Sequence, residues 1–159
     1  MVLCFPHVMI AKPLYTFARH AFGGLPMHIT GGCHCGAIRY QAEIDAERIS
    51  ICHCTDCQRL TGSAYRITAP ARPGSFTLLS GEPRGYAKYG DSGGLSRQFF
   101  CPNCGSPLYR TDGEGGAIGV RVGSIDQRRE LTPRKQIWCR SALPGVENIE
   151  PLPRFEGED

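Results

Sequence analysis

Cys52-His53-Cys54-Thr55-Asp56-Cys57 places three thiols within six residues, and two further cysteine motifs flank this stretch along the chain. Cys33 and Cys35 form a CxC motif, and Cys101 and Cys104 form a CxxC motif. Seven of the nine cysteines in this 159-residue chain therefore lie two or three residues from another cysteine. Such spacing is typical of metal ligands, whereas a disulfide framework distributes cysteines so that each bridge closes a loop. We therefore predict metal binding.

The number of clustered thiols predicts one four-ligand site and one three-ligand site. A structural zinc ion takes four protein ligands, whereas a catalytic zinc ion keeps one position for an outside ligand. Cys33 and Cys35 share a face if their segment is an extended strand, so the CxC and CxxC motifs can complete one site together. The predicted four-thiol set is Cys33, Cys35, Cys101 and Cys104, and the predicted three-thiol set is Cys52, Cys54 and Cys57.

Thiolate ligands favour zinc, and we expect two Zn²⁺ ions per chain, with an iron–sulfur cluster as the alternative. Three other side chains could add a ligand to the three-thiol set. His34 and His53 each lie between two cysteines, so on a strand each would point away from the metal. Cys139 is predicted to be a small buried apolar residue beside Trp138. We therefore expect the three-thiol set to lack a fourth protein ligand.

Charge and composition argue against several classes of protein. The formal net charge is only +3, whereas a duplex-DNA-binding protein usually gathers more positive charge on one face, so nucleic-acid binding is disfavoured. No stretch reaches the ~20 apolar residues of a membrane span, so we expect a soluble protein. The segment 1–11 has no basic region before its apolar residues, which argues against a secretory signal and favours the reducing cytoplasm.

The chain length predicts one domain, and the strand signals given below predict that it is mainly β. Residues 1–28 are predicted to be an N-terminal extension, and residues 29–159 the domain. One short helix is predicted over Thr55–Thr61, with Thr55 as its cap and Gly62 at its end. Alternating apolar residues and turn signals predict strands at 38–43, 48–52, 75–79, 85–89, 95–100 and 117–122.

Longer motifs surround the cysteines, and together they resemble the glutathione-dependent formaldehyde-activating enzyme family, also called the CENP-V/GFA domain. Three of them contain the cysteine motifs, in order along the chain, and the resemblance covers the chain from about residue 29 to its end. The motifs are Gly31–Tyr40, Cys52–Arg59, Thr61–Tyr65, Leu79–Pro83, Phe100–Ser106, Val122–Asp126 and Leu152–Gly157.

This resemblance implies an Mss4-like fold of small antiparallel sheets around two zinc sites, the four-thiol site structural and the three-thiol site catalytic. It implies a carbon–sulfur lyase, similar to S-(hydroxymethyl)glutathione synthase. Such an enzyme adds a glutathione-like thiol to formaldehyde or a related small aldehyde, or cleaves the adduct. The chain departs from the family pattern at Gln136, where a histidine is common, and at Gly145, where a tryptophan is common. Both departures concern the substrate pocket.

The chemistry of the three-thiol set raises one objection to this hypothesis. Three thiolates and one Zn²⁺ ion leave one net negative charge, so a fourth, anionic thiolate is disfavoured. Candidates for proton transfer are His53, Asp56 and Tyr65. Candidates for binding the carboxylates of glutathione by a bidentate fork are Arg59, Arg66 and Arg97.

Two alternatives lack this catalysis. The domain could be a zinc-stapled module that binds protein or nucleic acid. The short basic stretch of Arg128-Arg129 and Arg134-Lys135, interrupted by Glu130, is the feature that would support it. It could also be a zinc-stapled scaffold without activity. Neither the oligomeric state nor the physiological substrate follows from the sequence.

Overall fold

A computed structural model describes residues 24–90, 93–113, 116–146 and 154–157. In this part of the chain the fold is mainly β, as predicted. One α-helix, α1, spans Thr55–Thr61. The strands are β1 (Met27–Gly32), β2 (Arg39–Ile44), β3 (Ser50–Cys52), β4 (Arg66–Pro70), β5 (Thr77–Ser80), β6 (Arg84–Tyr89), β7 (Leu95–Phe100), β8 (Pro107–Asp112), β9 (Ile118–Arg121) and β10 (Lys135–Ile137).

The strands form two sheets of different size. The smaller sheet has the order β1-β2-β5, and the larger has the order β10-β3-β4-β9-β8-β7-β6. Neighbouring strands are antiparallel except for β10 and β3, which are parallel. The family resemblance implied small antiparallel sheets. The larger sheet has seven strands, and three of them, β4, β8 and β10, were not predicted as strands from the sequence.

The hydrophobic core joins the two sheets. Tyr40 of β2 stacks on Phe76, whose ring also packs against Tyr109 of β8, with centroid distances of 5.3 and 4.5 Å. Phe99 of β7 continues this row of aromatic rings. Offset aromatic contacts of this kind add to the free energy gained by burying apolar area. The fully buried apolar residues Ile29, Ile38, Ile44, Ile49, Leu108, Val120 and Ile125 belong to the same core.

The helix has the predicted bounds, but its cap differs from the prediction. Cys54, not Thr55, is the N-cap residue, and its sulfur accepts the backbone N–H of Cys57 at 3.4 Å. Gly62 ends the helix in the left-handed conformation at φ 62°, which glycine adopts without a steric cost. One of the metal-binding candidates is therefore also part of the helix terminus.

Other predictions about organisation are only partly covered by the described residues. The predicted domain boundary at residue 29 falls inside β1, which begins at Met27, while residues 1–23 of the predicted extension lie outside the described residues. Within the predicted domain, residues 91–92, 114–115, 147–153 and 158–159 also lie outside them. Within the described ranges, no helix combines the length and the apolar character that a membrane span requires. The cytoplasmic location stays a prediction.

Candidate functional site

The first thiol cluster joins two turns that are distant in sequence. The Sγ atoms of Cys33, Cys35, Cys101 and Cys104 all lie within 4.8 Å of one another. The Sγ atom of Cys35 is 3.5 Å from that of Cys33 and 3.8 Å from that of Cys101. A zinc–sulfur bond of about 2.3 Å gives a tetrahedron with sulfur atoms about 3.8 Å apart. The four thiols therefore fit a tetrahedral metal ion.

Each turn of the four-thiol cluster is held by backbone hydrogen bonds. The Gly36 N–H donates to the Cys33 carbonyl, and the Gly105 N–H donates to the Cys101 carbonyl, at 3.1 and 2.9 Å. Ser106 links the turns, because its hydroxyl accepts the His34 N–H at 3.0 Å. The same hydroxyl lies 3.3 Å from the Cys104 sulfur and lowers the pKa of that thiol. This network orients the sulfur atoms towards one another.

The second thiol cluster is formed by residues close in sequence and lies at the junction between β3 and α1. Cys52 is the last residue of β3, Cys54 caps the helix, and Cys57 is in its first turn. Their three Sγ atoms also lie within 4.8 Å of one another. Among the described residues, no histidine, acidic residue or further cysteine joins this group of potential ligand atoms. The arrangement can hold a metal ion through three thiolates.

Arg66 is the closest charged neighbour of this three-thiol cluster. It pairs with Cys52 across β3 and β4, and its Nη2 donates to the Cys57 sulfur at 2.9 Å. The contact with Cys52 and the positive charge of Arg66 lower the pKa of Cys57. The contact with Cys57 and burial raise the pKa of Cys52. Cys57 therefore ionises before Cys52.

A layer of arginines extends from Arg66 across the larger sheet. Gln98 joins two of them, because its Oε1 accepts Nη1 of Arg66 at 3.0 Å and Nη2 of Arg121 at 2.6 Å. Arg66 and Arg121 are only 7% and 5% exposed. Arg110 of β8 lies near them, and burial and repulsion from Arg66 lower its pKa. The same two causes lower the pKa of Arg121 to about 9.

The three-thiol cluster and the arginines face one cavity of about 250 Å³. Its floor is one face of the larger sheet, because the lining residues come from successive strands in register. Arg121 pairs with Thr68, Gln98 pairs with Arg110, and the next strand brings Lys88 opposite Ser96. The lining consists of Ser50, Cys52, Cys54, Asp56, Cys57, Leu60, Arg66, Thr68, Lys88, Gly90, Ser96, Gln98, Arg110, Arg121, Ile137 and Trp138.

Strand β10 anchors one wall of this cavity to the cysteine motif. The His53 N–H donates to the Ile137 carbonyl, and the His53 ring nitrogen Nε2 lies 2.7 Å from Oε1 of Gln136. The Gln58 side chain donates to the carbonyls of His53 and Ser141, both at 2.8 Å. Gln136, at a position where histidine is common in the family, therefore holds the cysteine motif and is absent from the cavity lining.

The family comparison bears directly on this arrangement. The family model for the glutathione-dependent formaldehyde-activating enzyme matches residues 28–141, which include both thiol clusters and the whole cavity lining. The chain belongs to this family. The match begins within β1 and ends at the turn after β10, so the matched residues correspond to the two sheets described above.

Two individual proteins show how far the similarity extends. A Schizosaccharomyces pombe protein named as an uncharacterized lyase is 32% identical over 79 residues, which is 50% of this chain and 54% of that protein. The chain thus matches about half the length of this curated relative. A crystal structure of a Rhodobacter sphaeroides protein is 24% identical, with a TM-score of 0.54, and the match covers 67% of this chain and 98% of that one. That likeness concerns the fold.

The predicted proton-transfer and carboxylate-binding residues separate into those at the cavity and those away from it. Asp56 lines the cavity in an ion pair with Lys88, whereas His53 and Tyr65 pack edge to face outside the lining. Arg66 contacts the three-thiol cluster, because its Nη2 donates to the Cys57 sulfur. The other two predicted arginines, Arg59 and Arg97, are absent from the lining, and Arg59 is exposed on α1.

Two of the side chains that were considered as a further ligand, and not expected to be one, lie outside the group of three thiols. Cys139 is exposed, so the prediction of a buried apolar cysteine was wrong. The reason is the preceding residue, because Trp138 has a positive φ of 59° and turns the chain into a 3-10 turn at Cys139–Ser141. His34 is exposed beside the four-thiol cluster.

Sequence reasoning missed Arg110, Arg121, Gln98 and Lys88 as parts of the site. The available signal was the alternation along their strands. Gln98 lies two residues from Ser96, and Arg121 follows Val120, so each polar side chain faces the cavity while its neighbour faces away. That signal identifies a polar face but not which other strands contribute to it.

Proposed function

We propose that this protein is a zinc-dependent carbon–sulfur lyase that adds a glutathione-like thiol to formaldehyde or a related small aldehyde, or cleaves such an adduct. The observation that carries the proposal is a cavity lined by three cysteine sulfur atoms and bordered by buried arginines. Family membership and the name of the yeast relative as a lyase support it. The four-thiol cluster is assigned to a structural zinc ion and the three-thiol cluster to a catalytic one.

The donor set fits this assignment. All seven candidate ligands are thiols, which zinc binds well. Bound by three thiolates, a zinc ion would offer its remaining position to the sulfur of the incoming thiol and lower the pKa of that thiol. A free thiol has a pKa of about 8.5, so only a few per cent is thiolate at neutral pH.

The buried arginines answer the objection that a fourth thiolate is disfavoured. Three thiolates and a divalent ion leave one net negative charge, and a substrate thiolate would make it two. Arg66 and Arg121 line the same cavity and bring two positive charges, and among the described residues no carboxylate is a hydrogen-bond acceptor of either. Opposite charges at short range favour the ionised forms, so the pair stabilises the substrate thiolate in the cavity.

The remaining polar groups of the cavity can complete the addition. The substrate sulfur forms a bond to the aldehyde carbon, the carbon–oxygen π bond breaks, and the thiol proton passes to the aldehyde oxygen. Asp56, held by Lys88 at the cavity wall, is the group we assign to carry that proton. The cavity holds both reactants next to these groups, so a bimolecular reaction becomes effectively unimolecular.

Exchange spectroscopy tests the proposal. NMR of glutathione and formaldehyde with zinc-loaded protein is expected to show faster adduct exchange than the uncatalysed mixture. The Cys54→Ser variant is expected to lose this acceleration. Cys139→Ser is the matched control, because it removes an exposed thiol that lies outside both clusters. Unchanged exchange in Cys54→Ser, or no acceleration with any thiol and aldehyde pair, would contradict the proposal.

A further inference from the structure

The charged groups of the three-thiol cavity do not balance among themselves. Arg66, Lys88, Arg110 and Arg121 line it, whereas Asp56 is the one carboxylate in the lining formed by the described residues. Asp56 is already paired with Lys88. The proposed function uses Arg66 and Arg121 to neutralise the zinc site with its substrate thiolate. The guanidinium of Arg110 also lines this cavity and has no role in that proposed function.

The position of Arg110 places this charge where a ligand can reach it. Arg66 and Arg121 are almost fully buried and are fixed by bonds to Gln98. The side chain of Arg110 is 34% exposed, and it pairs with Asp112, whose own side chain is 51% exposed. A guanidinium has five N–H donors, so Arg110 can keep this ion pair and still bind a second carboxylate.

Repulsion within the arginine layer increases the attraction for an anion. Burial, and then repulsion from Arg66, lower the pKa of both Arg110 and Arg121, so the charged guanidinium groups are partly desolvated and repel one another. The side-chain oxygen atoms bonded to Arg66 and Arg121 are the neutral ones of Gln98 and Thr68, whereas Arg110 pairs with the carboxylate of Asp112. Buried charges in proteins are normally paired, so an anion entering the cavity would relieve this repulsion.

We propose that Arg110 binds a carboxylate of the thiol substrate, so that this cavity selects compact thiols that carry a negative charge. The proposal deepens the function proposed above and rests on it. A volume of about 250 Å³ is at the small end for ligand pockets, which usually measure about 300–1,000 Å³. A mercaptocarboxylate therefore enters whole, with its sulfur at the thiol cluster and its carboxylate at Arg110, while a tripeptide thiol enters only in part.

The single tryptophan of the chain gives a binding readout that does not depend on activity. Trp138 lines the cavity, so its fluorescence reports a ligand that enters. The probes are 3-mercaptopropionate and its neutral amide, 3-mercaptopropionamide, titrated into zinc-loaded protein. We expect the carboxylate to bind at least about tenfold more tightly than the amide, as a charge-assisted bond to arginine provides.

Substitutions at two arginines separate a local contact from a general effect of charge. Arg110→Gln is expected to reduce the preference for the carboxylate to less than about threefold, and Arg110→Lys to retain part of it, since the charge stays but the fork is lost. Arg59→Gln is the matched control, because Arg59 is exposed and outside the cavity lining. Its preference should equal that of the wild type.

The outcomes distinguish this inference from the function on which it rests. Equal affinity for the two probes in the wild type would overturn the inference, and so would a preference that survives both substitutions of Arg110. If exchange with formaldehyde is accelerated in that case, the proposed lyase function stands. If the carboxylate preference depends on Arg110 but no thiol and aldehyde pair is accelerated, the anion site stands and the lyase function fails.

Discussion

The two thiol clusters use the same residue type in opposite surroundings. Cys33 and Cys101 of the four-thiol cluster belong to the hydrophobic core, where Cys101 is 1% exposed, and Cys104 packs against that core. The three-thiol cluster is not part of this core, and its nearest charged neighbour is the guanidinium of Arg66. One cluster thus has two of its thiols in the apolar core, while its Cys35 is exposed, and the other cluster contacts a buried positive charge.

This difference shows that the neighbours of a thiol cluster, more than its ligands, determine what the cluster can do. In the four-thiol cluster, backbone groups such as the Ile38 N–H point at the sulfur atoms, and these fix geometry without attracting a charged ligand. In the three-thiol cluster, Arg66 and Arg121 favour additional negative charge. These surroundings support the structural role that we propose for the first cluster and the substrate-binding role that we propose for the second.

The largest expected effect comes from removing a ligand at the core. Cys101→Ser should leave the chain unable to fold stably, because a structural zinc site contributes on the order of 10 kcal/mol, comparable with the whole stability of a domain. Circular dichroism and metal analysis of the purified variant measure this effect. Cys54→Ser should keep its secondary structure and lose only one of two bound metal ions. Equal loss of structure in both variants would remove the distinction between the clusters.

Replacing Arg66 tests the electrostatic half of the comparison. Arg66→Gln keeps a hydrogen-bonding side chain beside Gln98 but removes the positive charge at Cys57. We expect a loss of about 10- to 100-fold in exchange rate at a fixed thiol concentration, since a bond between charged groups contributes about 1.5–3 kcal/mol. Metal content should stay at two ions. An unchanged rate would mean that the arginine layer does not assist the thiol.

Alkaline pH tests the core that supports the four-thiol cluster. Burial raises the pKa of Tyr40 to about 12, although its hydroxyl lies 2.7 Å from Ser124. The folded pKa is higher than the unfolded value of about 10, so this contribution is present below pH ~10 and is lost as pH rises towards 12. Urea unfolding should show a loss of about 3 kcal/mol over that window. Tyr40→Phe should show a clearly smaller loss, and an equal loss would exclude Tyr40 as the cause.

The smallest expected effect concerns a hydroxyl that contacts the four-thiol cluster. Ser106→Ala removes the hydroxyl that accepts the His34 N–H and contacts the Cys104 sulfur. We expect the free energy of unfolding to fall by about 1 kcal/mol and the affinity for one metal ion to fall about tenfold. Competition with a chromophoric chelator measures the second quantity. A matched loss at the three-thiol site would contradict the assignment of Ser106 to one cluster.

The cysteine motifs carried most of the information that could be read from the sequence. Cys52, Cys54 and Cys57 are close in the chain, and the CxC and CxxC motifs are both short turns that need a partner, so the grouping followed from spacing and number. The helix at Thr55–Thr61 followed from its ending glycine. Its cap was misassigned because a cysteine sulfur, rather than the adjacent threonine hydroxyl, accepts the N–H of Cys57.

The arginine layer could not be predicted because it depends on the order of strands. Arg66, Gln98 and Arg121 are separated by more than 20 residues from one another, and they meet because β4, β9, β8 and β7 are neighbours in the sheet. A sequence pattern gives the face of each strand but not which strands are adjacent. The exposed position of Cys139 was missed for a similar reason, since it depends on the unusual backbone of Trp138.

Cadmium NMR tests most directly whether the two clusters differ in their access to an outside thiol. With ¹¹³Cd in both sites, the account predicts two resonances, one of which moves towards the position of the four-sulfur site when 3-mercaptopropionate is added, while the other stays in place. The moving resonance should be absent in Cys54→Ser. Two resonances that both ignore the added thiol, or two four-sulfur resonances before any thiol is added, would contradict the account.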